Sequence, residues 1–150
     1  MHADKKILIG VILGLIAASL LIQLWPLELT NPPVTSEPAW NETRTQEIAR
    51  RACFDCHSNE TVWPWYAHIV PFGNLLETDV HKGRAVLNFS EWEATCCTAQ
   101  QIDDMAETVN TGEMPLPYYV ILHPEAELTD TERGDLVNGL IDMMNAQLNQ

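Results

Sequence analysis

The chain reads as an all-α domain with long proline- and tryptophan-rich loops, preceded by one N-terminal transmembrane helix. Three observations predict this. Residues Ile7 to Leu24 form an almost unbroken apolar run. The segments after residue 41 carry helical periodicity and no sustained strand alternation. Between them lie Trp63-Pro64-Trp65 and Met114-Pro115-Leu116-Pro117, clusters that interrupt helices.

The apolar run is broken only by Ser19 and Gln23. At the helical rise it spans about 27 Å, close to the thickness of a hydrocarbon core. Lys5 and Lys6 precede it, and no Lys or Arg follows until Arg44. The positive-inside rule then places the N-terminus in the cytoplasm. Everything beyond Trp25 falls on the periplasmic side of a bacterial inner membrane. The rival is a cleavable signal peptide cut near Ala17, Ala18 and Ser19, but the apolar run continues through Leu20, Leu21 and Ile22. Gly10, Gly14 and Ala18 share one helical face, which suits close approach of another membrane helix, although such spacing is common by chance. Residues 1–25 are therefore read as the anchor. Residues 26–40, with Pro26, Pro32, Pro33 and Pro38, are read as a stiff extended spacer.

Residues 41–150 form the domain. A first helix, capped by Asn41 or Thr43, runs through Glu47, Ile48 and Ala52. A second is expected from about Asn74 to Leu87, and a third from Ala99 to Asn110, stopped by Gly112 and Pro115. Thr129-Asp130-Thr131-Glu132 has the form of a capping box, and the apolar residues Leu136, Val137, Leu140, Ile141, Met144 and Leu148 follow it. A core this small is marginal alone.

Charge narrows the partners. The 21 acidic residues outnumber the 8 basic ones, for a net charge of -13. Nucleic-acid binding needs a positive footprint, so it is excluded. An acidic surface steers toward a basic partner, or simply stays solvated.

Cys53-Phe54-Asp55-Cys56-His57 carries the chemistry. This spacing lets two thiols reach the two vinyl groups of one haem while the next imidazole meets the iron. The expected cofactor is one covalent haem c. Zinc would need a second ligand pair at metal-binding spacing. The remaining cysteines, Cys96 and Cys97, are adjacent and do not supply it; they read as packing thiols, with a strained redox pair as the minority alternative. A redox dithiol at Cys53 and Cys56 lacks its expected strand–helix context.

For the sixth iron position the choice is Met114, in a proline-stiffened loop just past a helix. The alternatives are a packing Met114 with an open site, or His68, His81 or His123; Met105, Met143 and Met144 read as core. Trp63 and Trp65 are candidate haem-pocket walls or ordinary core aromatics. Arg84 is a candidate propionate partner or a solvated arginine.

From Cys53 onward the chain resembles the bacterial haem-binding domain family, a branch of the cytochrome c-like proteins. The matching pieces are Cys53-x-x-Cys56-His57-Ser58, Thr61-Val62-Trp63-Pro64-Trp65-Tyr66, Gly83-Arg84-Ala85-Val86-Leu87-Asn88-Phe89-Ser90-Glu91-Trp92, Gly112-Glu113-Met114-Pro115-Leu116 and Leu122-His123-Pro124. The resemblance implies a single-haem, mostly α cytochrome fold with His57 and Met114 as axial ligands. Cys96 and Cys97 fall outside the pattern.

The expected function is single-electron transfer with a membrane-bound respiratory or photosynthetic complex, as a carrier and not an enzyme. The competing readings are a haem sensor or peroxidase-like enzyme with an open sixth site, and a structural haem subunit of a membrane complex.

Overall fold

Eight α-helices and no strand occur among the described residues, 2–149, of this computed structural model. The outermost residues of the expected anchor and domain, 1 and 150, lie outside that range. Helix α1 (His2–Ile22) contains the apolar run from Ile7 as far as Ile22. Its window Lys5–Ile22 has a mean hydropathy of 2.2 and no buried residue, so it is long and apolar enough to cross a membrane.

The chain forms two compact units, one made of the residues up to Leu29 together with Trp63–Thr78, the other of Thr30–Val62 with the residues from Asp79 onward. In the first, the Gln23 side chain reads the Val70 backbone in both directions. Its amide nitrogen donates to the Val70 carbonyl at 3.1 Å, and the Val70 N–H donates to its oxygen at 3.0 Å. Leu27 and the Ala67 carbonyl close on Gly73 so tightly that a Cβ there has no room. The Trp63–Thr78 stretch is thereby tied to the residues that follow the apolar helix.

The second unit starts with part of the expected spacer. Residues 30–40 contain no helix, as their prolines require, yet they are not free. Asn31 donates to the Thr61 carbonyl, Thr35 N–H to the Ser90 carbonyl, and Ser36 accepts from Trp92 N–H. Proline removes helical pairing from this segment, and its remaining polar groups find partners on the domain instead of in water.

Helix α2 (Thr43–Ala52) begins at Glu42, with no side-chain cap from Asn41 or Thr43. Helix α3 (Phe54–His57) is the cysteine motif itself, followed by α4 (Phe72–Val86) and the single turn α5 (Trp92–Thr95). Helix α6 (Ala99–Thr111) carries a Thr98–Gln101 capping box and ends at Gly112, whose φ of 78° is left-handed. The short α7 (Pro117–Leu122) precedes α8 (Asp130–Leu148), which starts in the Thr129–Glu132 capping box. Helix α8 packs on α2 and α6. Its buried Leu136, Leu140, Met143 and Met144 meet an aromatic ladder in which Phe54 and Phe89 stack at 5.0 Å and Phe89 and Trp92 at 5.9 Å.

Candidate functional site

The Cys-x-x-Cys-His stretch is one helical turn joined to the end of α2. Cys53 N–H donates back to the Ala49 carbonyl, and the Cys53 carbonyl accepts from the N–H groups of Cys56 and His57. Positions i, i+3 and i+4 share one helical face. Cys53, Cys56 and His57 accordingly all line one cavity of about 420 Å³.

The end of α4 fixes that turn. The Cys56 carbonyl lies against Gly83, leaving no space for a Cβ. His57 Nδ1 stands 3.0 Å from the Leu87 carbonyl, and the His57 carbonyl accepts from Phe89 N–H at 2.7 Å. A carbonyl only accepts, so Nδ1 carries the proton and Nε2 keeps its lone pair. Burial lowers the His57 pKa below its ordinary value, against the opposing pull of the Leu87 and Gly83 carbonyls. A neutral imidazole with one ring nitrogen oriented by a backbone carbonyl is the state that ligates a metal.

The cavity is mainly apolar, walled by Val86, Leu87, Phe89, Val109, Leu136 and Leu140 among others. Met114 and Met105 both line it; His68, His81 and His123 do not. Met114 lies between α6 and α7, its N–H donating to the Thr108 carbonyl at 3.0 Å. The helix after it is moored twice. Tyr118 donates to Asp79 at 2.7 Å, and Tyr119 donates to Asp55 inside the cysteine motif. These tyrosine–aspartate pairs were not singled out from sequence, where nothing marks which carboxylate a given phenol will meet.

Three sequence candidates lie elsewhere. Trp63 and Trp65 belong to the unit that contains α1 and do not line the cavity. Trp65 is 77% exposed and packs edge-on against Tyr66. Arg84 is not in the lining either. Its guanidinium is spent on backbone and side-chain oxygens: the Ser58 carbonyl at 2.8 Å, the Thr30 carbonyl at 2.9 Å, Asn31 Oδ1 at 3.0 Å and Thr61 Oγ1 at 2.9 Å. The lining contains one basic side chain among the described residues, Lys82, with the amide of Gln101 also present.

The donor set fits haem. The cavity volume falls within the range of about 300–1,000 Å³ common for cofactor sites. Burial, with Cys56 beside it, pushes the Cys53 thiol up to about 12. Burial and the neighbouring Asp79 and Asp55 push Cys56 up to about 12. Cys96 and Cys97 are half-buried against the core and lie outside the cavity lining.

A helical unit enclosing an apolar cavity, with a Cys-x-x-Cys-His turn and a methionine in its wall, defines a haem protein. The family model described as a haem-binding domain matches residues 17–142, and the chain belongs to that family. No curated protein and no solved structure shows significant similarity to it.

Proposed function

We propose that this is a membrane-anchored, single-haem c-type cytochrome that passes single electrons to or from a membrane-bound respiratory or photosynthetic complex. The observation that carries the reading is the convergence of Cys53, Cys56, His57 and Met114 on one apolar cavity. Bound there, haem supplies a one-electron ferric/ferrous couple.

The chain's own residues hold and tune it. Cys53 and Cys56, both present as thiols, would hold haem by adding sulfur and hydrogen across its two vinyl double bonds, which needs no oxidant. His57 Nε2 and the Met114 thioether would hold the iron, and the softer sulfur would favour the ferrous state and raise the potential. The apolar wall excludes water from the ring, and Lys82 with Gln101 are the donors available to propionates. Haem held through both residues would leave its iron no open position for a substrate, and such a protein would carry electrons without turnover. Helix α1 sits in the bacterial inner membrane with its N-terminus in the cytoplasm, and the haem is periplasmic. The net charge of -13 steers the surface toward a basic patch on the redox partner.

The test is the absorption spectrum of the purified full chain, ferric and ferrous, with and without carbon monoxide. Low-spin spectra, a weak long-wavelength ferric sulfur-to-iron band and no response to carbon monoxide are expected. A high-spin ferric form, or ready carbon monoxide binding, overturns the carrier and leaves a sensor or enzyme.

A further inference from the structure

We infer that the Trp63–Thr78 stretch is a membrane seat: an apolar collar beside the end of α1 that rests in the lipid headgroup region. This rests on the membrane-anchor reading above and extends it from a single helix to a second surface.

Three independent observations carry it. The first is composition. In a chain with 21 acidic residues, no Asp, Glu, Lys or Arg stands between Glu60 and Glu77. An acidic surface is repelled by anionic lipid, so an uncharged stretch is the part that can approach a bilayer closely. The second is exposure. Trp65 is 77% exposed, Phe72 54%, Leu75 46% and Ile69 38%, so four large apolar side chains within eleven residues face outward with no core to cover them. Exposed large apolar side chains gathered in one short stretch of an otherwise acidic surface suit an interaction site. The third is continuity. The double hydrogen bond between Gln23 and Val70, and the close packing of Leu27 on Gly73, fasten this stretch to the segment that leaves α1. That segment carries its own exposed aromatic, Trp25, at 63%.

Lipid is the occupant these features select. Tryptophan concentrates at membrane interfaces, where its ring is buried and its N–H stays wet. A helix start with outward Phe72 and Leu75 beside a spanning helix is suited to the boundary between headgroups and acyl chains. The collar also accounts for Trp65, which has no role in the cavity. Trp65, Phe72 and Leu75 are thus lipid contacts.

The experiment reconstitutes the purified full chain into phosphatidylcholine vesicles containing a lipid with a diazirine near the top of its acyl chain. After photolysis, labelled residues are mapped by mass spectrometry, and a water-soluble diazirine is used in parallel. The expected result is lipid-derived labelling of α1 and of Trp65, Phe72 and Leu75, with little labelling of these three by the soluble reagent. Lipid labelling of α1 alone, with Trp65, Phe72 and Leu75 labelled from water, overturns the collar and leaves the anchor intact. Absence of lipid labelling from α1 as well overturns both.

Discussion

Gly83 lies so close to the carbonyl oxygen of Cys56 that the two backbones touch where a side chain would otherwise stand. The last turns of α4 can press on the cysteine turn only because this position lacks a Cβ, and from there the Leu87 carbonyl reaches His57. Gly83→Ala forces either α4 or the cysteine turn to shift. Overpacking of this kind costs about 1–3 kcal/mol. The expected outcome is a lower melting temperature and reduced haem incorporation, read by thermal denaturation and haem staining of the purified protein. An unchanged melting temperature and full haem loading overturn the close contact.

Arg84 is a strap, not a pocket residue. It ties residues 30 and 31 to the backbone just after His57 through four oxygen acceptors. Removing a charged donor from such a set costs about 2–3 kcal/mol. Arg84→Ala should therefore lower stability to denaturant while leaving the reduction potential and its pH dependence nearly unchanged. A propionate partner behaves the other way, with the potential and its pH dependence moving in potentiometric titration.

Tyr119 bonds to Asp55, and so links the helix after Met114 to the helix that carries the two cysteines. Tyr119→Phe removes that bond and keeps the ring. The expected result is a looser methionine, seen as faster displacement of the sixth ligand by added imidazole in stopped-flow absorption. Tyr118→Phe, which frees the outer tether to Asp79, should have the same sign and a smaller size, since Tyr118 is the more exposed phenol. Equal rates in all three proteins overturn the mooring.

Much of this arrangement was legible in the sequence. The apolar run, the capping box at Thr129 and the stop at Gly112 are local signals, set by residues within a turn or two of each other, and the helices they predict are present. The cysteine motif is equally local, and its spacing alone puts Cys53, Cys56 and His57 on one face. What the sequence left open depends on distant pairings. Trp63 and Trp65 follow the motif closely along the chain, but Gln23 and Leu27 hold that stretch to residues far earlier in the sequence. The prolines at 32 and 33 keep this segment out of a helix, yet periodicity cannot show that Asn31 and Thr35 will find partners at Thr61 and Ser90. Arg84 is the sharpest case: its residue type suits a propionate equally well, and no local pattern foretells that its guanidinium meets four protein oxygens.

Covalent attachment gives a prediction independent of the sixth ligand. Acidified acetone should leave the haem on the chain, because two thioethers survive unfolding. Cys53→Ala leaves one. Its pyridine haemochrome band should move to longer wavelength, since one vinyl group stays conjugated with the ring. Cys56→Ala should do the same. Haem that extracts freely from the unmodified protein overturns the c-type assignment, while the family's haem binding stands.

Two methionines line the cavity, and the sixth ligand is expected to be Met114 and not Met105. Met105 is part of α6, whose backbone fixes where its sulfur can go, whereas Met114 stands in the loop that Tyr118 and Tyr119 hold in place. Met114→Ala should turn the ferric protein high-spin, abolish the sulfur-to-iron band, open the ferrous protein to carbon monoxide and lower the potential, because a thioether that favours ferrous iron has gone. Met105→Ala should keep the band and cost about 2–4 kcal/mol of stability at most, as for truncation of a half-buried core side chain. The pair of variants separates ligation from packing: only the true ligand removes the band and admits carbon monoxide. If Met105→Ala does so and Met114→Ala does not, the iron takes its sulfur from α6, and the Tyr118 and Tyr119 bonds serve only to close the cavity.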